Sequence, residues 1–115
     1  MPLFRGYGDD YLQVGDGIYR SGLILHDGKV SAPWGPERVD GLTVAHLKPV
    51  LDAPPEVLII GTGRITRFPP EAVLDALQDA HVGYECMDSR SAARTYNILV
   101  TEGRTTSAAM LLPAA

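Results

Sequence analysis

Two short apolar runs held apart by one helix-sized segment constrain this chain most. Val57-Leu58-Ile59-Ile60 is apolar throughout and closes on Gly61. A run of that length bounded by glycine reads as a buried strand. Pro69-Pro70-Glu71 then opens a helix. Proline suits a first turn, where its missing N–H has no partner anyway, and Glu71 sits at the positive end of the helix dipole. Val73, Leu74, Leu77 and Ala80 or His81 form an i, i+4, i+7 stripe that packs one helix face on a sheet. His81-Val82-Gly83 ends the helix, and Tyr84 to Met87 is the next strand. Strand, helix, strand over this distance is a βαβ unit with parallel strands and a right-handed crossover. Val57–Ile60 is therefore expected to be central and buried, flanked by Tyr84–Met87.

The remaining segments fit around that unit. Asp88-Ser89-Arg90-Ser91 caps a second helix running to about Glu102, with Gly103 as its left-handed C-terminal residue. Ile98, Leu99 and Val100 are consecutive, which predicts cover on more than one side of that helix. Thr105 to Leu112 reads as a final strand. The first half is richer in Gly and Pro. Gly6-Tyr7-Gly8-Asp9-Asp10 reads as turn chemistry, followed by a short strand, Tyr11 to Val14. Gly15-Asp16-Gly17 tolerates the positive φ of a tight hairpin. Ile18 to Leu25 reads as one strand, in which Gly22 marks a bulge or a close backbone approach. Asp27-Gly28 turns the chain into Lys29–Ser31. Pro33-Trp34-Gly35-Pro36 excludes regular structure. A short helix is expected from Thr43 as N-cap to about Leu51, or from nearer His46 if Pro49 lies in its first turn. The fold class is α/β: one layered domain over residues 1–115, with a mixed sheet, an N-terminal hairpin region, a βαβ unit and an αβ unit.

Composition narrows the function classes. At 115 residues, with 45% hydrophobic and 21% charged residues, the chain can bury a core without staples. A net charge of −4 argues against a general nucleic-acid binder, which needs a basic surface. Cys86 is the lone cysteine, so no internal disulfide can form. Met1 to Tyr7 carries no charged segment leading into an apolar one, so no secretory signal is expected. No apolar run reaches the roughly 20 residues that span a bilayer, so membrane insertion is not expected. The expected state is soluble and cytoplasmic, a monomer or weak homo-oligomer.

Three blocks in the second half carry a resemblance. They are Gly61-Thr62-Gly63 with Arg67-Phe68-Pro69-Pro70; Met87-Asp88-Ser89; and Ala92-Ala93-Arg94-Thr95-Tyr96-Asn97-Ile98-Leu99 with Glu102-Gly103-Arg104. The first half agrees more loosely, through Gly28 and Trp34. In this order the blocks resemble a small uncharacterised α/β family with many bacterial and archaeal members. Its eukaryotic relatives include a mitochondrial assembly factor for NADH:ubiquinone oxidoreductase (complex I) and a cytosolic protein linked to adipogenesis; this chain looks like a bacterial member. The resemblance implies a mixed-sheet fold and supplies no reaction or catalytic residues. Bacterial relatives usually carry a cysteine just before the arginine of the Arg-Thr-Tyr-Asn block. Ala93 stands there in this chain, so it has no thiol chemistry at that position.

Candidate site residues fall in two places. Gly61-Thr62-Gly63 can aim backbone N–H groups into a concavity, with Arg64 and Arg67 adding positive charge for an anion. The same residues equally describe a tight turn that leaves the sheet, since neither a third fingerprint glycine nor a Gly-Lys-Ser/Thr follows. Asp88 should lie beside that loop, at the carboxyl ends of parallel strands where open α/β sheets bind ligands. A pocket of Asp88, Arg94 and the Gly61 loop is one reading; a helix cap at Asp88 or Ser89, an Arg94–carboxylate pair and packing roles for Tyr96 and Asn97 is the other. Trp34 reads either as a partner-binding anchor on a rigid loop or as a lid over the core. Cys86, on a predicted buried strand, reads as a small core hydrophobe. No catalytic residue, metal site or cofactor is assigned, because metal-ligand spacings and a Gly-x-Ser-x-Gly elbow are both missing. The expected function is a non-enzymatic interaction or assembly module, its partner a protein such as a membrane-complex subunit. The alternative is a protein or enzyme for a small anionic ligand.

Overall fold

A computed structural model describes residues 1–115. Its strands are β1 (Phe4–Gly8), β2 (Tyr11–Val14), β3 (Gly17–Tyr19), β4 (Leu23–His26), β5 (Lys29–Ser31), β6 (Val57–Gly61), β7 (Gly83–Met87) and β8 (Thr106–Met110). The α-helices are α1 (Lys48–Asp52), α2 (Glu71–Asp79) and α3 (Ser89–Thr101). Strands β1-β2-β3 form an antiparallel sheet, and β5-β4-β8-β6-β7 form a mixed one. In the mixed sheet β6 runs parallel to both β7 and β8, while β4 is antiparallel to β5 and β8.

The apolar run of β6 is explained by what lies on each side of it. Ile59 faces a cluster built from Leu23, Leu25, Ala108, Met110 and the α3 residues Ala92, Ala93 and Tyr96. Phe4, Leu12 and Val14 of the small sheet close that cluster from outside. Leu58 and Ile60 face the opposite cluster, with Ile24, Ala109, Leu47, Val50, Val73 and Leu77. Alternate residues thus enter two cores, and both faces of β6 stay dry. The chain steps from β6 to β7 through α2, then back across β6 to β8 through α3. Reversing direction along the sheet places the two connecting helices on opposite faces, given one crossover hand.

The helix ends follow the local sequence. Asp88 is the N-cap of α3, accepting from Ser91 N at 3.0 Å. Gly103, at φ +86°, closes α3 with Gly103 N–H to Val100 O and Arg104 N–H to Leu99 O. The same paired bonds close α2 around His81, at φ +59°, where histidine rather than glycine takes the left-handed position. Thr43 caps a 3-10 turn, Val44–Leu47, and Pro49 lies in the first turn of α1. Proline therefore starts this helix instead of breaking it.

Four expectations change. Gly6 and Gly8 belong to β1 instead of a turn; the Tyr11 ring lies across Gly8, so the neighbouring strand supplies the cover glycine lacks. The expected strand Ile18–Leu25 breaks at Arg20–Gly22, because β3 and β4 belong to different sheets. Gly22 is a close approach: a Cβ there would run into the carbonyl oxygen of Trp34 and stand 3.0 Å from Met110 O. Strand β7 is a sheet edge, so Cys86 is only half-buried. On α3, Leu99 and Val100 pack on the core, but Ile98 points to solvent at 57% exposure.

Candidate functional site

The carboxyl ends of β6 and β7 stand side by side, and their connections leave toward opposite faces. That arrangement opens a crevice in many α/β sheets. Here the protein fills it with its own groups. Thr62 N donates to Met87 O at 2.8 Å, and Gly63 N donates to Ser89 Oγ at 2.9 Å. Ser89, wholly buried, donates onward to Leu111 O at 2.7 Å. Arg64 N donates to Ala115 O at 2.9 Å. Gly61 permits this closure, since a Cβ would sit 2.8 Å from Met110 Sδ and 2.9 Å from Ser89 Oγ. The loop's N–H groups are thus engaged internally, and an anion here would meet side chains.

Those side chains converge nearby. Thr62, Arg64 and Arg67 line a cleft of about 250 Å³ together with Arg38, Asp40 and Ile65. Arg38 reaches Asp40 at 3.8 Å, whereas Arg64 and Arg67 belong to none of the molecule's five ion pairs. The loop that carries them is tethered. Thr62 Oγ1 lies 2.7 Å from Ile65 O and accepts from Arg67 N at 3.2 Å, and Asp88 N donates to Thr66 Oγ1 at 3.1 Å. Yet Ile65 and Phe68 remain 52% and 70% exposed.

Asp88 and Arg94 stand apart from this cleft. The Asp88 carboxylate accepts from the Ser91 hydroxyl at 2.7 Å and from Ser91 N. Burial pushes its pKa up, but the Ser91 hydrogen bonds and the Arg94 charge outweigh that and hold it below the usual 3.8. Arg94 donates to Tyr7 Oη at 2.6 Å and to Ser91 Oγ at 3.2 Å, joining α3 to β1. Both side chains therefore sit in a cap network.

Trp34 covers the core and keeps part of its surface open to a cleft. Its indole N–H donates to His46 O at 2.8 Å, and the ring packs against the α2-side core. Its remaining surface lines a cleft of about 530 Å³ with Pro33, Pro36, Leu111 and Leu112; Asp9, Asp10, Glu37 and Arg20 also contribute. Ala114 and Ala115 line both this cleft and the arginine cleft, so the C-terminal residues divide the two.

Two features lay outside the sequence reading. Arg38 joins the cleft from the far end of the Pro-rich loop, a meeting only the tertiary structure makes. His26 Nδ1 lies 2.7 Å from Ser107 Oγ across 81 residues of sequence. Ser107 is 1% exposed, so this contact ties β4 to β8 inside the sheet. Burial pushes the Cys86 thiol up to about 11, leaving it protonated near neutral pH. No three His, Cys, Asp or Glu side chains gather in a way that could hold a metal ion.

Comparison with known proteins agrees with this architecture. An uncharacterised protein of Rhodobacter capsulatus is 32% identical over 111 residues, covering 96% of this chain and 84% of its own length. A 13 kDa major membrane protein of Francisella tularensis is 33% identical over 69 residues, 60% of this chain and 56% of that one. The human NADH dehydrogenase [ubiquinone] 1 alpha subcomplex assembly factor 3 is 36% identical over 58 residues. That match takes in 50% of this chain and 32% of the assembly factor. A crystal structure of a Bordetella parapertussis protein superposes with a TM-score of 0.88 at 34% identity, covering 97% of this chain and 96% of that one. Residues 4–111 match the family described as protein of unknown function (DUF498/DUF598), and the chain belongs to that family.

Proposed function

We propose that this chain is a non-catalytic interaction module that helps assemble a larger complex and docks through the Trp34 cleft. The observation that carries this reading is the wall of that cleft: an aromatic ring fixed at its N–H, flanked by apolar side chains and a margin in which Asp10 pairs with Arg20, Asp9 pairs with Arg90 and Glu37 is in no ion pair. Fixed aromatic anchors in partly dry pockets are what binding hot spots are made of. A partner would offer an apolar side chain beside a cation. The relative that is by name an assembly factor supports the assembly role, and through it a membrane-complex subunit as partner. The half-buried, protonated Cys86 and the internally bonded Ser107 support a non-catalytic reading.

A photo-crosslinking amino acid at Glu37, compared with one at Ile98 on the far helix, tests this in the native host. One dominant protein adduct from position 37, weakened by Asp10→Arg, is the expected outcome. Equal adducts from both positions would remove the cleft from consideration.

A second reading, an anionic ligand at the Gly61 loop, is supported by the three arginines of the smaller cleft. Phosphate should then raise the melting temperature above chloride at matched ionic strength, because a ligand bound only to the native state stabilises it. Arg64→Ala or Arg67→Ala should reduce that rise. An unchanged response in both variants would leave the loop as a turn.

A further inference from the structure

The segment Arg64-Ile65-Thr66-Arg67-Phe68 alternates cations with large apolar side chains, all of it held in place. Ile65 and Phe68 are 52% and 70% exposed although hydroxyls tether the backbone at Thr62 and Thr66. The buried Pro69 and the α2 N-terminus fix the segment's far end. The exposure is thus built into an ordered loop, which lowers the ordering cost of binding. Arg64 and Arg67 lack ion-pair partners, and Arg38 faces the same cleft with Asp40 as its single carboxylate side chain.

We infer that this loop is a peripheral membrane contact: the Arg38, Arg64 and Arg67 guanidiniums take lipid phosphates while Ile65 and Phe68 enter the headgroup–acyl boundary. The inference rests on the anion reading of the cleft and is independent of docking at Trp34. Charge complementarity selects an anionic surface, and the apolar pair selects among anions. A free phosphate satisfies the arginines and leaves Ile65 and Phe68 in water. An acidic protein segment would meet both, but a standard protein interface takes roughly 20–30 residues a side. The cluster here is one short loop plus Arg38. An anionic bilayer rewards a few cations and a few inserted side chains without requiring a large matched area. No helix is long and apolar enough to cross a membrane, so the contact lies on the surface. The chain's net charge of −4 opposes a general approach to such a surface and makes binding depend on this patch and on low salt.

Co-sedimentation of the purified chain with vesicles tests this. One set is phosphatidylglycerol mixed equally with phosphatidylcholine; the other is phosphatidylcholine alone. Binding to the first set only is expected, falling about tenfold in Arg64→Gln/Arg67→Gln and again in Ile65→Ser/Phe68→Ser. Ile98→Ser, which removes an equally exposed apolar side chain on α3, should bind as the parent does. If only the arginine variant weakens binding and soluble glycerol phosphate competes fully, the membrane inference falls and the anion site stands. If vesicles are not bound while phosphate still raises the melting temperature, the membrane contact is likewise overturned and the anion site is kept. Absence of both responses removes the anion reading as well.

Discussion

The two clefts beside Ala114 and Ala115 are walled in different ways. The Trp34 cleft is backed by main chain pressed on main chain: Gly22 lies against the Trp34 and Met110 carbonyls, and Trp34 N donates to Gly22 O at 2.9 Å. The arginine cleft is walled by a loop whose start is also bonded main chain to main chain, Thr62 N to Met87 O and Arg64 N to Ala115 O, but whose outer part is held through hydroxyls, at Thr62, Thr66 and Ser89. Main-chain contact without a Cβ makes a wall that cannot yield. Hydroxyl tethers hold a loop in place while leaving its other side chains free to face water. The first arrangement suits a fixed socket for a partner's side chain, and the second suits a loop that presents its own.

Gly22→Ala tests the contrast most severely. The new methyl meets two backbone oxygens, neither able to move without shifting β8 or the Trp34 loop, so a loss of about 3 kcal/mol or more is expected in urea unfolding. A loss near zero would mean that the wall yields after all. Ser89→Ala comes next. It removes the acceptor of Gly63 N and the donor to Leu111 O, both buried, and should cost about 2–3 kcal/mol. Because Ser89 Oγ holds Leu111 O beside the Leu111 N–H bond to Gly61 O, its removal should also loosen amide exchange at Gly63 and Leu111 together. Exchange changing at Gly63 alone would show that the clefts are uncoupled. Trp34→Phe keeps most of the ring but drops the bond to His46 O, for about 1 kcal/mol. Its loss should leave the arginine loop's exchange rates unchanged.

The smallest effect is acid-dependent. The folded pKa of Asp88 lies below the usual 3.8, so its stabilising contribution is complete above the unfolded value. It is lost as pH falls through the folded value. Asp88→Asn keeps an equally good N-cap and cannot titrate. The variant should match the parent within about 0.5 kcal/mol at neutral pH and lose less stability below pH ~4. Parallel acid curves for the two proteins would show that this cap carries no pH dependence.

Legibility followed the range of the interactions. The βαβ unit, the Asp88 cap, the Gly103 terminus and the pairing of β6 with β7 all rest on contacts between neighbours in sequence or on a strong apolar pattern. The first half was harder. Its strands are three to five residues long, and two sheets share it. No local signal says that the chain changes sheets at Arg20–Gly22. At the site, sequence left Asp88 and Arg94 open between a pocket and a cap. Their side chains lie in a cap network that reaches Tyr7, a partner 87 residues away from Arg94, while the Asp88 main chain is bonded to Thr66 of the loop.

By itself, then, the sequence determined the strand–helix–strand order of the second half, the dry centre of the sheet and the chemistry of the loop after β6. Periodicity and capping act within a few residues and can be read there. Tertiary structure alone decided that Ser89 would fill the crevice between β6 and β7, and that Arg38 would meet Arg64 and Arg67. It likewise set an exposed Phe68 on a tethered loop and Trp34 between core and solvent. Those outcomes depend on which distant hydroxyl reaches which N–H, and on which side chains the packed core leaves uncovered.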